Sequence, residues 1–428
     1  MRFELRRRRQ KFVLLLVLFS LVSIYIALVT AQFLAACFVN LPHPVWLKRA
    51  IWVDPGNAET RHRVGELYSL GGSPQVAIPW LQSALELNPH NGRYWIDLAV
   101  AQQSVGDIAA EQRSLQQALT VDPKTPNIAW NAANLYLAQG LTSNALQQLH
   151  TVLENDPVLA SRAIRKCWNT RPDIEYLLAS VIPPASYPAM LEFLISQNET
   201  AAANKLWEQM VSSQRAIDRQ DLFDYVRYLI AHHEPAQAAL VWRGAASIAS
   251  LQAYQPSPVN LLVNGDFRLE TLNGGLDWIH QKTEGVSLAL DPGEAHSGTR
   301  SLRITFDGPG IVDAGLSLAV PVLPDTTYEF SAFYKTAEIN GAGGMQFAIQ
   351  DAYRGTSFFM SGDLKDAEFW KETGGSFTSG PDTRLIVLRI VRVPSGSPIR
   401  GKLWIDGLKL VDSGLANIAA RPAGRSSR

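Results

Sequence analysis

The sequence predicts a multidomain protein: one transmembrane helix, then an all-α superhelix of repeated hairpins, then an all-β sandwich. A long uncharged stretch directly follows an arginine-rich N-terminus. Asn-Pro or Asp-Pro pairs then recur every 34 residues. Beyond Pro256 the chain changes to short runs in which apolar and polar residues alternate. These three patterns are typical of a membrane anchor, a helical repeat and an antiparallel sheet.

The N-terminal segment predicts a single-pass anchor. Residues 1–11 are basic, and residues 12–39 contain no charge. An apolar helix of about 27 residues is roughly 40 Å long, more than the roughly 30 Å hydrocarbon core requires. Because basic flanks stay in the cytoplasm, everything after Asn40 is expected outside it. The predicted location is the inner (cytoplasmic) membrane, with the C-terminal bulk in the periplasm or extracellular.

Two other readings of this segment stay open. Leu34-Ala35-Ala36-Cys37 matches the bacterial lipoprotein cleavage pattern, which would place a lipid on Cys37. Simple signal-peptide cleavage is the second alternative. The apolar stretch is long for a signal peptide and the bulky Phe38 follows the cysteine, so an uncleaved anchor is favoured. The chain has two cysteines, Cys37 and Cys167, and we expect no disulfide between them.

The 34-residue period predicts stacked helical hairpins. The repeated prolines each follow an Asn or Asp, and the repeated glycines keep the same step. Proline cannot continue a helix, so each pair ends one hairpin, and each glycine marks the turn inside one. Such a stack makes a surface that binds other chains and rarely performs chemistry. These positions are Pro55, Pro89, Pro123, Pro157, Gly72, Gly106 and Gly140.

Within this period, residues 43–160 resemble the tetratricopeptide repeat family. In the first unit Gly65, Tyr68, Ala77, Ala84 and Pro89 occupy the small, aromatic, small, small and proline places of the family pattern. The second unit departs from it, with Gln102 for the aromatic and Glu111 for the second small residue. Residues 43–53 would cap the stack, and residues 161–255 are interpreted as degenerate helical hairpins.

The resemblance implies a groove that binds a partner protein. The family lines this groove with particular positions of the first helix of each unit. Trp130 is the best single anchor among them, although packing between units would also explain it. The groove residues implied here are His62, Glu66, Arg93, Ile96, Asn127, Trp130 and Asn134.

Residues 259–412 predict an antiparallel β-sandwich. In the run from Tyr328 to Lys335, alternation places Tyr328, Phe330, Ala332 and Tyr334 on one face of a strand. The tail at 413–428 is rich in Ala, Gly, Ser and Arg and is expected to be disordered. The predicted strands are Ser287–Leu290, Ser301–Phe306, Ser317–Val322, Thr327–Lys335, Met345–Gln350, Leu385–Val393 and Lys402–Leu410.

The order of motifs in this region resembles the CenC-type carbohydrate-binding module, a jelly-roll of the galactose-binding-like class. The matching pieces are Asn264–Phe267, Trp278, His296–Gly298, Tyr328–Lys335, Trp370 and Trp404–Leu408. The resemblance implies a structural calcium held by Asp266 and Asp406. Arg268 stands where the family usually has an acidic residue, which puts that ion in doubt. The alternative is that Asp266 caps a turn and Asp406 lies in a hairpin.

The same resemblance implies a polysaccharide ligand. Such modules stack aromatic rings on sugar faces and hydrogen-bond the hydroxyls with amide and charged groups. Phe333, Lys335, Gln346 and Gln350 are expected on the outer face of one sheet, with Tyr353 and Arg354 in the next loop. Ordinary surface positions would give the same pattern, so this reading stays open.

No catalytic motif stands out in the sequence. It has no Gly-x-Ser-x-Gly elbow, no Gly-Lys-Ser/Thr loop and no Cys-x-x-Cys pair. His232-His233-Glu234 is interpreted as a solvated turn. The 39 basic and 39 acidic residues balance, which argues against nucleic acid as a partner.

The sequence therefore predicts a membrane-anchored, non-enzymatic scaffold. It would bind a partner protein through its repeats and a polysaccharide through its sandwich, in envelope or exopolysaccharide biogenesis. One alternative is a pure assembly factor whose sandwich mediates protein contacts. The other is an envelope polysaccharide-processing enzyme with an unrecognised site.

Overall fold

A computed structural model describes residues 8–39, 44–214, 216–308 and 310–414 of the chain. The predictions for residues 1–7 and for the tail after residue 414 lie outside these described residues. The chain divides into two compact units, Met1–Phe193 and Leu194–Arg428. Its helices and antiparallel sheets confirm the predicted fold class.

The first helix, α1, spans Arg8–Val39. Its stretch Lys11–Leu34, 24 residues long, is apolar and long enough to cross a membrane. None of that stretch is buried among the residues that the structure describes. By its length and composition, this helix is suited either to a membrane anchor or to a signal sequence.

The repeat region consists of consecutive helical hairpins in which each helix packs on the next. The helix Pro44–Val53 (α2) precedes the first complete hairpin. The three hairpins are α3 and α4 (Ala58–Leu70, Pro74–Leu87), α5 and α6 (Gly92–Val105, Ile108–Val121), and α7 and α8 (Pro126–Ala138, Thr142–Asn155).

The helix ends follow the repeated residues. Asn88, Asp122 and Asp156 each end a helix, and the proline that follows has no N–H with which to continue it. The glycines one period apart have positive φ values of 73°, 81° and 74°, which a glycine adopts at no steric cost. A Cβ at Gly65 would lie 2.6 Å from Leu81 Cγ, so this glycine lets α3 approach α4 closely.

Less regular helices follow the repeats. The first unit continues with α9 (Ala160–Thr170) and α10 (Ile174–Ser180), and α11 (Tyr187–Ser196) spans the division between the units. The second unit begins with α12 (Thr200–Ser212), α13 (Arg219–Ala231) and α14 (Pro235–Gly244). The division thus falls inside residues 161–255, which the sequence analysis treats as one helical segment.

The rest of the second unit is a sandwich of two antiparallel sheets. One sheet has the order β1-β4-β9-β6-β7 and the other β2-β3-β10-β5-β8. The strands are β1 Ile279–His280, β2 Val286–Asp291, β3 Ser301–Gly308, β4 Asp313–Pro321, β5 Thr327–Asn340, β6 Gly344–Asp351, β7 Ser357–Met360, β8 Lys371–Thr378, β9 Leu385–Val393 and β10 Ile399–Asp412.

The core lies between the two sheets. The predicted alternation on β5 is confirmed, since Tyr328, Phe330, Ala332 and Tyr334 are all buried in it. The segment before β1 joins β10, because the Leu408 N–H donates to the Gly265 carbonyl at 2.9 Å. A Cβ at Gly265 would lie 2.3 Å from that strand's backbone oxygen, so only glycine fits there. The sandwich thereby brings its first and last motifs together.

Helices α13 and α14 pack within the same unit as the sandwich. Trp242 of α14 is fully buried and donates its indole N–H to the Tyr254 carbonyl at 2.8 Å. On the sandwich side, the Tyr353 hydroxyl donates to the Ile230 carbonyl at 2.9 Å. The Tyr353 ring also lies 4.1 Å from the ring of His233, in the turn between α13 and α14. These contacts explain why the last helices belong to the second unit.

Candidate binding sites

The first part of the predicted groove is a closed polar network. His62 is fully buried, its Nε2 lies 2.7 Å from Asp97 Oδ2, and its ring stacks on that of Tyr94 at 4.4 Å. Arg93 pairs with Glu66 at 3.1 Å. Burial raises the pKa of Tyr94 to about 12. These side chains are already engaged with one another, so the network orders the two helices.

The later groove positions lie differently. Ile96 is buried at 1% exposure, between the second and third hairpins, and has no surface for a partner. Trp130 is half-buried, and the ammonium of Lys166 from α9 lies 5.2 Å above its ring. The same ammonium donates to Asn134 at 2.6 Å. Asn127 is exposed beside them. We call Asn127, Trp130, Asn134 and Lys166 the Trp130 patch. In this patch the ring of Trp130 is partly exposed and lies beside the ammonium of Lys166.

The structure places the predicted sugar residues on two different sheets. Phe333 and Lys335 lie on β5, whereas Gln346 and Gln350 lie on β6 of the opposite sheet. The four side chains therefore do not form the single outer face that the sequence analysis expects. Lys335 binds both carboxylate oxygens of Glu294 at 2.8 Å, while Gln346 donates to Asp363 at 2.9 Å.

Tyr353 and Arg354 lie in the turn after β6. Tyr353 is held against α13 by the contacts described above, so its ring is committed to the fold. Arg354 is exposed and pairs with Asp382 at 2.8 Å. Neither residue adjoins Phe333 on the other sheet. These two positions therefore do not extend a surface around Phe333.

An aromatic platform surrounds Phe333. Its ring stacks on that of His296, with centroids 3.6 Å apart and planes 13° apart. The Trp370 ring meets the same imidazole edge-on at 5.7 Å. His296 is exposed, while Phe333 and Trp370 are half-buried. We call these three residues the aromatic platform. The exposed His296 ring is stacked on the Phe333 ring, and the Trp370 ring contacts it edge-on.

A cavity of 740 Å³ opens beside the platform. Phe333, His296 and Asp266 line it, together with Arg268 and Lys409. We call it the Phe333 cavity. This cavity therefore brings one predicted sugar residue, Phe333, next to one predicted metal ligand, Asp266.

Asp406 holds two residues that line this cavity, His296 and Ser297. Its Oδ2 accepts the N–H groups of His296 and Ser297, both at 2.7 Å, and its Oδ1 accepts the Gly407 N–H at 2.6 Å. Burial raises the pKa of Asp406, and these donors partly offset that rise. The carboxylate thus fixes the turn that carries His296, from a position 110 residues later in the chain.

The residues present do not fit the calcium that the family resemblance implies. Calcium takes six to eight oxygen ligands. The oxygens of Asp406 already accept backbone N–H groups, and Asp266 Oδ2 lies 2.5 Å from the guanidinium of Arg268. Within the described part of the chain, no group of three or more His, Cys, Asp or Glu side chains could hold a metal ion. Asp266 matches the alternative reading of a capped turn, since its Oδ1 accepts the Arg268 N–H at 3.4 Å. Asp406 does not lie in a hairpin, as that reading expected, but within strand β10 at its bulge.

Three of the cavity and platform residues were not singled out from sequence. His296 and Trp370 were noted only as pieces of the family pattern, and Lys409 was part of a predicted strand. Contacts in the folded protein bring His296 to the site. Phe333 pairs with Asp406 on the neighbouring strand, and Asp406 accepts the N–H of His296. No local pattern in the sequence contains that connection.

A second cavity, of 890 Å³, lies in the first unit between α4, α5 and α6. Ile78, Leu85, Trp95 and Gln102 line it. Gln102 takes the aromatic place of the second repeat and is 5% exposed, and its Oε1 has no hydrogen-bond partner among the described residues. One residue that departs from the repeat pattern thus lines this cavity.

Comparisons with known proteins give likenesses to solved structures. No family model and no curated protein sequence matches the chain. The MamA protein is 16% identical with a TM-score of 0.31, covering 40% of this chain and 94% of that chain. A family 16 carbohydrate-binding module is 19% identical with a TM-score of 0.27, covering 36% and 100%.

A MamA RS-1 ArsTM double mutant is 15% identical with a TM-score of 0.25, covering 26% of this chain. The match spans 64% of that protein, just under two thirds of its length. Because all three TM-scores are below 0.5, these likenesses carry no functional argument. The chain is similar in part to MamA structures and in part to a carbohydrate-binding module.

Proposed function

We propose that this chain is a membrane-anchored, non-enzymatic scaffold of the bacterial cell envelope. Helix α1 is the anchor, and the remainder lies in the periplasm or outside the cell. The helical repeats bind a partner protein, and the β-sandwich binds a polysaccharide during envelope or exopolysaccharide biogenesis.

The aromatic platform beside the Phe333 cavity carries the polysaccharide half of this proposal. Sugar rings present a flat apolar face, and protein sites hold it on aromatic rings. The exposed imidazole of His296 offers such a ring. It is stacked on Phe333 and contacted edge-on by Trp370. The cavity beside it adds polar groups that can hydrogen-bond hydroxyls.

Affinity electrophoresis of the full chain in detergent micelles tests this half. The gels contain a panel of neutral and acidic polysaccharides, and we expect at least one to retard the protein. Phe333→Ala and His296→Ala should each weaken retardation about five- to tenfold, since one stacked ring is worth roughly 1 kcal/mol. Trp52→Ala is the control, because Trp52 is 86% exposed but lies in the first unit. Absence of retardation on every polysaccharide would remove the sugar claim.

The Trp130 patch supports the protein-binding half. Trp is enriched among the residues that dominate binding energy at protein interfaces, and a neighbouring cation adds to its affinity for an extended segment. A photo-crosslinking residue at the exposed Asn127 should give discrete adducts in cells. Trp130→Ala should abolish them and Trp52→Ala should not. Adducts that persist in the Trp130 variant would count against this patch.

The absence of catalysis is part of the proposal. Asp266, which lines the cavity, is paired with Arg268, and the buried Asp406 accepts backbone N–H groups, so neither is arranged as a general acid or base. The full chain should release no new reducing ends from any polysaccharide that it binds. Release that is lost on Asp266→Asn would identify an enzyme instead.

A further inference from the structure

The charge of the Phe333 cavity indicates which class of sugar it takes. Apart from His296, its ionisable lining side chains are Asp266, Arg268 and Lys409. Asp266 and Arg268 neutralise each other, with Nε and Oδ2 2.5 Å apart. Lys409 is exposed and has no ion pair among the residues that the structure describes. The lining therefore carries one uncompensated positive charge.

The residues around the cavity carry both signs of charge. Lys335 and Glu294 form a pair at 2.8 Å, and Arg300 and Glu270 form another at 2.7 Å, so these two pairs are neutral. Glu372 on β8, opposite Phe333, and Glu329 on β5, opposite Val411, are exposed carboxylates that do not line the cavity. Among the residues that line it, Lys409 sets the sign of the charge.

Lys409 also lies on the same face as the platform. It pairs with Ser331 on β5, and Ser331 is two residues from Phe333, so the two side chains share the outer side of the strand. The bulge in β10 between Asp406 and Lys409 shifts the register at this point. An aromatic ring and a free ammonium consequently border one opening.

We infer that the Phe333 cavity binds a carboxylated sugar unit of an acidic polysaccharide. Its ring packs on the aromatic platform, and its carboxylate pairs with Lys409. The cavity volume of 740 Å³ lies in the range of about 300–1,000 Å³ that ligand sites occupy. This inference rests on the proposed polysaccharide binding and names its substrate class.

The test compares polygalacturonate with the same polymer after complete methyl esterification. The ring and hydroxyls are then identical, and each carboxylate is replaced by a neutral methyl ester. In affinity electrophoresis at low salt, the full chain in detergent micelles should bind the acid form at least tenfold more tightly. Lys409→Ala should weaken that binding at least tenfold, since a hydrogen bond to a charged group is worth roughly 1.5–3 kcal/mol. It should leave binding of the ester unchanged.

Lys402→Ala is the matched control, because Lys402 is an exposed lysine seven residues earlier on the same strand. Equal binding of acid and ester would overturn the inference while leaving polysaccharide binding intact. Equal losses in the two lysine variants would also overturn it, because the charge would then act from the whole surface. If neither polymer binds, the inference fails, and the panel of other polysaccharides decides separately whether the proposed function fails too.

Discussion

Asp277 offers a quantitative test of the second unit. It is fully buried in the segment before β1, and its Oδ2 accepts the Leu272 N–H at 2.7 Å. Its Oδ1 is buried and has no hydrogen-bond partner among the described residues. Burial raises the pKa of Asp277 from 3.8 to about 6. We expect this one carboxyl to make the stability of the unit depend on pH.

The sign of this pH dependence follows from which state, folded or unfolded, binds the Asp277 proton more tightly. Because the folded state holds it more tightly than the unfolded chain, the associated stability is fully present below pH 3.8. It is lost as the pH rises through about 6. The pKa difference of about two pH units, at 1.36 kcal/mol each, corresponds to roughly 3 kcal/mol. Asp277→Asn mimics the protonated form and should therefore raise the free energy of unfolding by up to that amount at pH 8.

Urea unfolding followed by tryptophan fluorescence measures this effect, since Trp278 is buried next to the substituted residue. The chain is studied in detergent micelles at pH 4 and at pH 8. The variant should exceed the native protein by only about 0.5 kcal/mol at pH 4, and by up to roughly 3 kcal/mol at pH 8. Asp307→Asn, at an exposed residue, is the control and should differ by only a few tenths of a kcal/mol at both values. A stabilisation of the same size at both pH values would refute the reasoning.

Three further predictions concern packing, metal binding and orientation. Gly65→Ala should destabilise the first unit by about 1–2 kcal/mol in urea unfolding, because the new Cβ meets buried Leu81; Gly56→Ala, whose nearest neighbour is 3.9 Å away, should have little effect. Excess calcium or EDTA should leave the thermal midpoint unchanged, and a rise with calcium would contradict the conclusion that Asp266 and Asp406 do not fit this ion. Protease added to intact spheroplasts should digest the chain beyond α1, whereas protection would reverse the proposed orientation.

The repeat region was the most predictable part of the fold. Asn88 and Asp122 end their helices just before a proline because proline has no N–H to donate, and this chemistry is local. Gly106 has a φ of 81°, as its place in the turn requires. Local rules of this kind are visible in sequence, so the hairpins could be placed to within a few residues.

Some strands could not be predicted, because they lack an apolar period. Strand β8 contains Gly374 and Gly375, which leave no alternation to detect. A Cβ at Gly374 would lie 2.2 Å from the Phe330 carbonyl oxygen of β5, so the close approach of two backbones explains the glycine. Strand β7 has only four residues and β1 only two. Their pairing depends on neighbours distant in sequence.

The sugar surface was mispredicted for a topological reason. Strands β5 and β6 are consecutive and joined by a short glycine-rich turn, which is typical of a hairpin. In the sandwich they belong to opposite sheets, so Phe333 and Gln346 face opposite sides of the protein. Both strands alternate equally well in either arrangement. The sequence therefore establishes which side chains point outward, but not which sheet carries them.

The Phe333 cavity shows why a site can be hidden while each of its parts is visible. Its walls come from four separate segments, around Asp266, His296, Phe333 and Gly407, which meet only when the sandwich closes. Asp406 then uses its carboxylate to hold the His296 turn. Arg268 stands where the family pattern has an acidic residue, and it neutralises Asp266. Arg268 therefore has two consequences. It argues against a calcium ion at Asp266, and by neutralising Asp266 it makes Lys409 the charge that selects the ligand.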